Sequence, residues 1–94
     1  MEVTWSEWLD FNSEQASMLP ESPGVYMMHA AMKILYIGGT SNLKKSITEA
    51  LNTSCVRDAK RFRYFATNEH DSISQSLLSK YKEKHDGNLP RCMS

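Results

Sequence analysis

Apolar positions along this chain change period in blocks. Gly24–Met28 and Ile34–Ile37 are two short β-prone runs separated by residues 29–33, the pattern of an antiparallel hairpin. Alternation sets Tyr26 and Met28 on one face and Val25 and Met27 on the other. Gly38-Gly39 ends the second run, and Thr40 or Ser41 is placed to cap a helix. Leu43, Ile47, Ala50 and Leu51 then recur at helical spacing, with Lys44, Lys45 and Thr48 outside. Arg61–Ala66 returns to period two: Phe62 and Tyr64 point one way, Arg61, Arg63 and Phe65 the other. Ser72 and Gln75 form a capping-box pair ahead of Ile73, Leu77, Leu78 and Tyr81, and Gly87 and Pro90 close that helix.

Upstream, Trp5, Trp8 and Leu9 fit one face of a short helical turn, with the tryptophans laid back on the sheet. The prolines make Leu19–Pro23 extended. The elements therefore read β-β-α-β-α. They predict an α+β fold in which a small three-stranded antiparallel sheet is flanked by helices, spanning residues 23–94. Residues 1–22 form an acidic, tryptophan-containing segment ahead of it.

Ninety-four residues with a 40% hydrophobic share make one small packed domain. No apolar run reaches the ~18–20 residues of a membrane span, and the acidic start is unlike a secretory leader. A cytoplasmic address without a membrane partner is expected. Cys55 and Cys92 lack zinc-site spacing and are read as unbridged thiols in a reducing compartment. Met27, Met28 and Met32 read as core and turn packing.

The net charge is zero, but it is unevenly spread. Residues 1–22 hold five acids and no lysine or arginine; residues 33–63 hold seven basic side chains against Glu49 and Asp58. A basic middle suits a polyanion such as nucleic acid, and also suits a merely solvated surface. Nothing in the pattern sets an oligomeric state.

Gly24-Val25-Tyr26 and Tyr36-Ile37-Gly38 place two phenols ten residues apart, just ahead of the first capped helix. From about Pro23 onward this resembles the GIY-YIG nuclease superfamily, including the excision-repair nuclease subunit. The resemblance implies that Tyr26 activates the attacking water, that Tyr36 positions phosphate, and that Gly38 allows close backbone approach. It also implies an arginine eight residues after that glycine, a metal-holding glutamate on the second helix, and a bracing asparagine after the last proline. Here Ser46, Ser76 or Leu77, and Met93 stand at those positions.

Phosphodiester hydrolysis needs a metal-activated water and compensation of developing charge, and Mg²⁺ needs at least one carboxylate. The aromatic and glycine frame is thus present without its charged partners. Lys45, Arg61, Arg63 or Asp71 are the residues placed to substitute. The candidate site is Tyr26 and Tyr36 at catalytic positions, with Gly38, Lys44, Lys45, Ser46, Arg61 and Arg63 as ligand-binding residues. No metal ligand or cofactor is expected, save Mg²⁺ if the site is active. Three functions fit: a nucleic-acid-binding module with little or no cleavage, a divergent metal-dependent endonuclease acting on DNA, and a protein-interaction or structural domain.

Overall fold

The computed structural model describes residues 4–30 and 33–93. Met32 lies outside the described residues. The elements are β1 (Leu9–Asp10), α1 (Ser13–Ser17), β2 (Gly24–Ala30), β3 (Lys33–Thr40), α2 (Leu43–Ala50), β4 (Arg61–Ala66) and α3 (His70–Lys84), with 3-10 turns at Val56–Asp58 and Arg91–Met93. The fold is α+β, but the antiparallel sheet has four strands in the order β1-β4-β2-β3, not three. The extra strand is β1, which pairs Leu9 with Phe62 and Asp10 with Arg61. Two residues are too few to show alternation, so a helical turn over Trp5–Leu9 was the wrong reading. As in a strand, Trp8 and Leu9 turn to opposite faces: Leu9 packs on the core and the Trp8 ring lies tilted against His29, with centroids 5.0 Å apart.

The sheet has two covered faces. Tyr26, Met28, Leu35 and Phe62 join Leu43, Ile47 and Ala50 of α2 in one core, and Ala16 and Leu19 extend it beneath α1. Residues of the acidic N-terminal segment therefore share this core. Val25 and Ile37 take the opposite face, where α3 packs and buries Ile73. Burying each large apolar side chain is worth about 1.5–3 kcal/mol. The β2–β3 register skips one residue between Met28 opposite Tyr36 and His29 opposite Ile34. Leu35 is the extra residue of this bulge, and it lets Leu35 and Tyr36 pack on the same core.

Asn42, rather than Thr40 or Ser41, caps α2; its Oδ1 accepts from the Lys45 amide at 3.0 Å. Thr40 Oγ1 accepts the Asn42 amide at 3.1 Å and so shapes the turn into the helix. The Leu43 and Lys44 amides donate to the Ser22 and Pro20 carbonyls at 2.9 and 3.3 Å, in a proline segment that bends at Leu19, Glu21 and Ser22 instead of running extended. α3 begins at His70, two residues before the capping-box serine, which instead donates to the Glu69 carbonyl. Gly87, at φ +83, sends its amide back to the Lys82 carbonyl at 2.8 Å and closes the helix. No helix among the described residues is long and apolar enough to cross a membrane.

Cys55 and Cys92 are joined in a disulfide, contrary to their reading as unbridged thiols. Spacing could not show this. The pairing arises because the chain after Pro90 folds back along β3, where the Ile37 amide points at Met93 Sδ 3.5 Å away. That places residue 92 beside the loop that follows α2. Cross-linking residues 37 apart in sequence should stabilise the fold by about 2–4 kcal/mol. A Cys55→Ser/Cys92→Ser variant, and the wild type in dithiothreitol, should unfold at matching and lower urea concentrations than the oxidised protein. Coincident midpoints for oxidised and reduced protein would show that the bond contributes nothing.

Candidate functional site

β2 and β3 bring the two motif tyrosines to one face. Tyr26 pairs with Gly38 across the hairpin, and Tyr36 pairs with Met28. Residues two apart on a strand share a face, so the Tyr36 ring lies along its own strand over Gly38. A Cβ on Gly38 would sit 2.5 Å from that ring, which makes glycine obligatory while Tyr36 keeps this pose. The Tyr26 and Tyr36 rings stack with centroids 5.5 Å apart and planes 15° apart. Gly39 faces the other way: its Cβ would meet the His70 carbonyl oxygen at 2.6 Å, so it sets how closely α3 approaches.

The rings form one wall of a cleft of about 230 Å³. α2 supplies the facing wall with Ser46 and Glu49, continued by Thr53 and Ser54; Met28, Ala50, Val56 and Cys92 complete the lining. Ser46 Oγ shares a hydrogen bond with Thr40 Oγ1 at 2.5 Å. Ser46 thus faces the phenols from the position where the family resemblance implies an arginine. Glu49 was missed as a site residue. Its signal was available, because a residue three positions after Ser46 lies on the same face of a helix.

The structure separates the other candidates from this cleft. Neither Lys44 nor Lys45 lines it; they lie on other faces of α2. Arg61 and Arg63 stand on the opposite face of the sheet, since Phe62 and Tyr64 take the α2 side. Asp10 lies 3.7 Å from Arg61. Arg63 lies between Trp5 and Trp8, with its guanidinium carbon 4.7 and 4.5 Å from the two ring centroids. Burial lowers the Arg63 pKa from its usual value. Its Nε is buried without a hydrogen-bond partner among the described residues. The tryptophans do lie back on the sheet. Asp71, Ser76 and Leu77 belong to α3 and do not line the cleft either. The first amides of α2 are taken by Ser22, Pro20 and Asn42, so the helix start does not present them to an anion.

Tyr26 is buried, and burial pushes its hydroxyl well above the ordinary phenol pKa. The neighbouring Tyr36 phenol, by electrostatic repulsion of a phenolate and then by hydrogen bonding, and lastly the Glu49 carboxylate add to the shift in that order. A neutral phenol donates a hydrogen bond but does not take up a proton, so Tyr26 is poorly suited as a general base. The metal-binding potential follows from the same lining. Among the described residues, Glu49 is the single carboxylate facing the cleft, beside neutral hydroxyls, and nowhere do three or more His, Cys, Asp or Glu side chains converge. This donor set does not fit a dedicated divalent-cation centre.

Because the native Tyr26 pKa lies above the unfolded value of about 10, the neutral phenol favours the folded state. That contribution is complete below about pH 10 and is lost as the pH climbs toward the raised native value. Phenolate absorbance should therefore show that Tyr26 ionises later in the native protein than in urea. The Tyr26→Phe variant should lose that late component and show a shallower alkaline fall in urea midpoint. Equal alkaline titrations for native and urea-unfolded wild type would contradict the shift.

Residues 1–84 match the family described as a domain of unknown function, DUF7508. The chain is similar to UvrABC system protein C of Fusobacterium nucleatum (30% identical over 79 residues, 72% of this chain) and of Mycoplasma capricolum (29% over 84 residues, 78% of this chain). It spans only 13% and 14% of the length of those curated relatives. Among solved structures it is similar to the GIY-YIG N-terminal endonuclease domain of UvrC from Thermotoga maritima. A point mutant bound to its catalytic divalent cation superposes with a TM-score of 0.67 at 20% identity, covering 84% of this chain and 90% of that one. The magnesium-bound form gives 0.61 at 19% identity, covering 84% and 91%. With its hairpin tyrosines stacked beside α2, the chain has the GIY-YIG fold and belongs to the DUF7508 family.

Proposed function

We propose that this domain binds nucleic acid through the hairpin end of its sheet and does not hydrolyse it. The observation that carries the reading is where the cations lie. Among the described residues no lysine or arginine lines the tyrosine cleft. Three of them lie near the hairpin end instead. Lys33 opens β3, Arg57 lies in the 3-10 turn before β4, and Lys60 donates its amide to the His29 carbonyl at the end of β2 at 2.9 Å. All three side chains are exposed. Lys33 and Arg91 also flank a second cavity that carries the stacked Tyr81 and His85 rings. Exposed cations beside aromatic rings suit a phosphate backbone and its bases.

The absence of cleavage rests on the cleft. Ser46 supplies no charge, Glu49 supplies the wrong one for an approaching phosphate, and Tyr26 keeps its proton. Glu49 beside the two phenols is also what favours the competing reading, a metal-dependent endonuclease with a relocated carboxylate. A cytoplasmic address would expose the Cys55–Cys92 bond to thiol reductants.

Labelled single- and double-stranded DNA and RNA should bind at 50 mM salt and weaken steeply by 200 mM. Replacing Lys33, Arg57 and Lys60 together by glutamate should lower the salt slope by about two to three. No binding at low salt would discard the reading. Plasmid and branched DNA should stay intact with Mg²⁺ or Mn²⁺. Nicking that disappears in Tyr36→Phe would establish the endonuclease instead.

A further inference from the structure

We infer that the tyrosine cleft is a guanidinium-binding site that receives an arginine-like group from outside the chain. Its chemistry is the reverse of a phosphate site. Among the described residues the single charged group in the lining is the carboxylate of Glu49, which stands exposed on α2 with its neighbours in the wall, Ser46, Thr53 and Ser54, all carrying hydroxyls. Across from them is the stacked tyrosine pair. A cation approaching Glu49 therefore meets one anion, several neutral acceptors and an aromatic face, and among the described residues no lysine or arginine in the lining repels it.

A guanidinium suits this lining better than an ammonium. It is planar and stacks on a phenol ring, and its five N–H donors can serve a carboxylate and neighbouring hydroxyls at once. A lysine-type ammonium is a compact point charge with three donors and a larger hydration cost. The cleft, at about 230 Å³, is open enough for a side-chain-sized group, and Met28, Ala50 and Val56 offer an apolar surface to an aliphatic stem.

The test is an amide NMR titration of the oxidised protein at fixed ionic strength. Ethylguanidinium should give saturable shifts at residues 46–53 and at Tyr26 and Tyr36, and should bind more tightly than propylammonium. Glu49→Gln, at an exposed position, should keep the fold and weaken binding at least about tenfold, the scale of one charged hydrogen bond. Ser46→Arg should abolish binding by placing the group there from within the chain. Non-saturating shifts, shifts elsewhere, or unchanged affinity in Glu49→Gln would overturn the inference. A blocked tripeptide with a central arginine distinguishes the sources. Binding about tenfold tighter than ethylguanidinium identifies a protein side chain as the occupant, and equal binding identifies a small guanidine. Both results retain the site.

Discussion

The contact of the Tyr36 ring with Gly38 is the constraint on which the cleft depends. The ring can fold along its own strand only because no side chain projects from the residue two positions ahead. Pairing Gly38 with Tyr26 then brings the second ring alongside, and the bulge at Leu35 fills the core on the same face. Opposite the rings, α2 is held by amides that donate to the Pro20 and Ser22 carbonyls and by the Asn42 cap. None of these interactions involves a formal charge. The shape of the cleft is therefore insulated from its electrostatics, and charged residues around it can change without unfolding it.

The basic side chains illustrate that freedom. Arg61 and Arg63 alternate out of β4 onto the face away from the tyrosines, and the N-terminal segment takes up both. The Asp10–Arg61 contact is exposed and is worth at most about 1 kcal/mol. The Arg63 stack is firmer, because a guanidinium over an aromatic ring gains about 0.5–2 kcal/mol as it is desolvated. The tryptophans thus fix the N-terminal segment to the sheet, and β1 extends the same attachment by hydrogen bonds to β4. Exposed basic residues near the hairpin end come from two stretches of chain, Lys33 at the start of β3 and Arg57 and Lys60 in the connection before β4, while Lys45 on α2 and Lys80, Lys82 and Lys84 on α3 are exposed elsewhere.

Much of this was legible in the sequence. Period-two blocks located β2, β3 and β4, and helical spacing located the buried stripe of α2, because each element buries one face. Proline restriction kept helix out of residues 19–23, but the segment bends at Leu19, Glu21 and Ser22 instead of running extended. The features that escaped were those without periodicity. β1 is two residues long, α1 is five, and both owe their existence to partners elsewhere in the chain. The disulfide depends on where the last turn lands, which local pattern does not encode. At the site, the tyrosines and Ser46 converge as their positions implied. Arg61 and Arg63 do not, although the alternation that opposed them to Phe62 and Tyr64 already placed them on the other face. Glu49 was counted in the charge balance of residues 33–63, but a tally of charge along the chain does not say which face of α2 a residue takes.

Glu49 also bears on what hydrolysis in this cleft would require. An arginine at position 46 would lie three residues before Glu49 on the same helical face, where opposite charges attract each other. Its guanidinium would be drawn to the carboxylate instead of standing free for a phosphate. Removing Glu49 as well would free the guanidinium, but would take away the single carboxylate that faces the cleft among the described residues, and with it their first ligand for a metal. The two charges that hydrolysis requires must come from different elements, so that one can hold the metal while the other holds the phosphate. In this chain α3 faces the cleft with neither Ser76 nor Leu77. On the non-cleaving reading proposed above, hydrolysis would demand a carboxylate delivered from outside α2, a change of geometry as well as of charge.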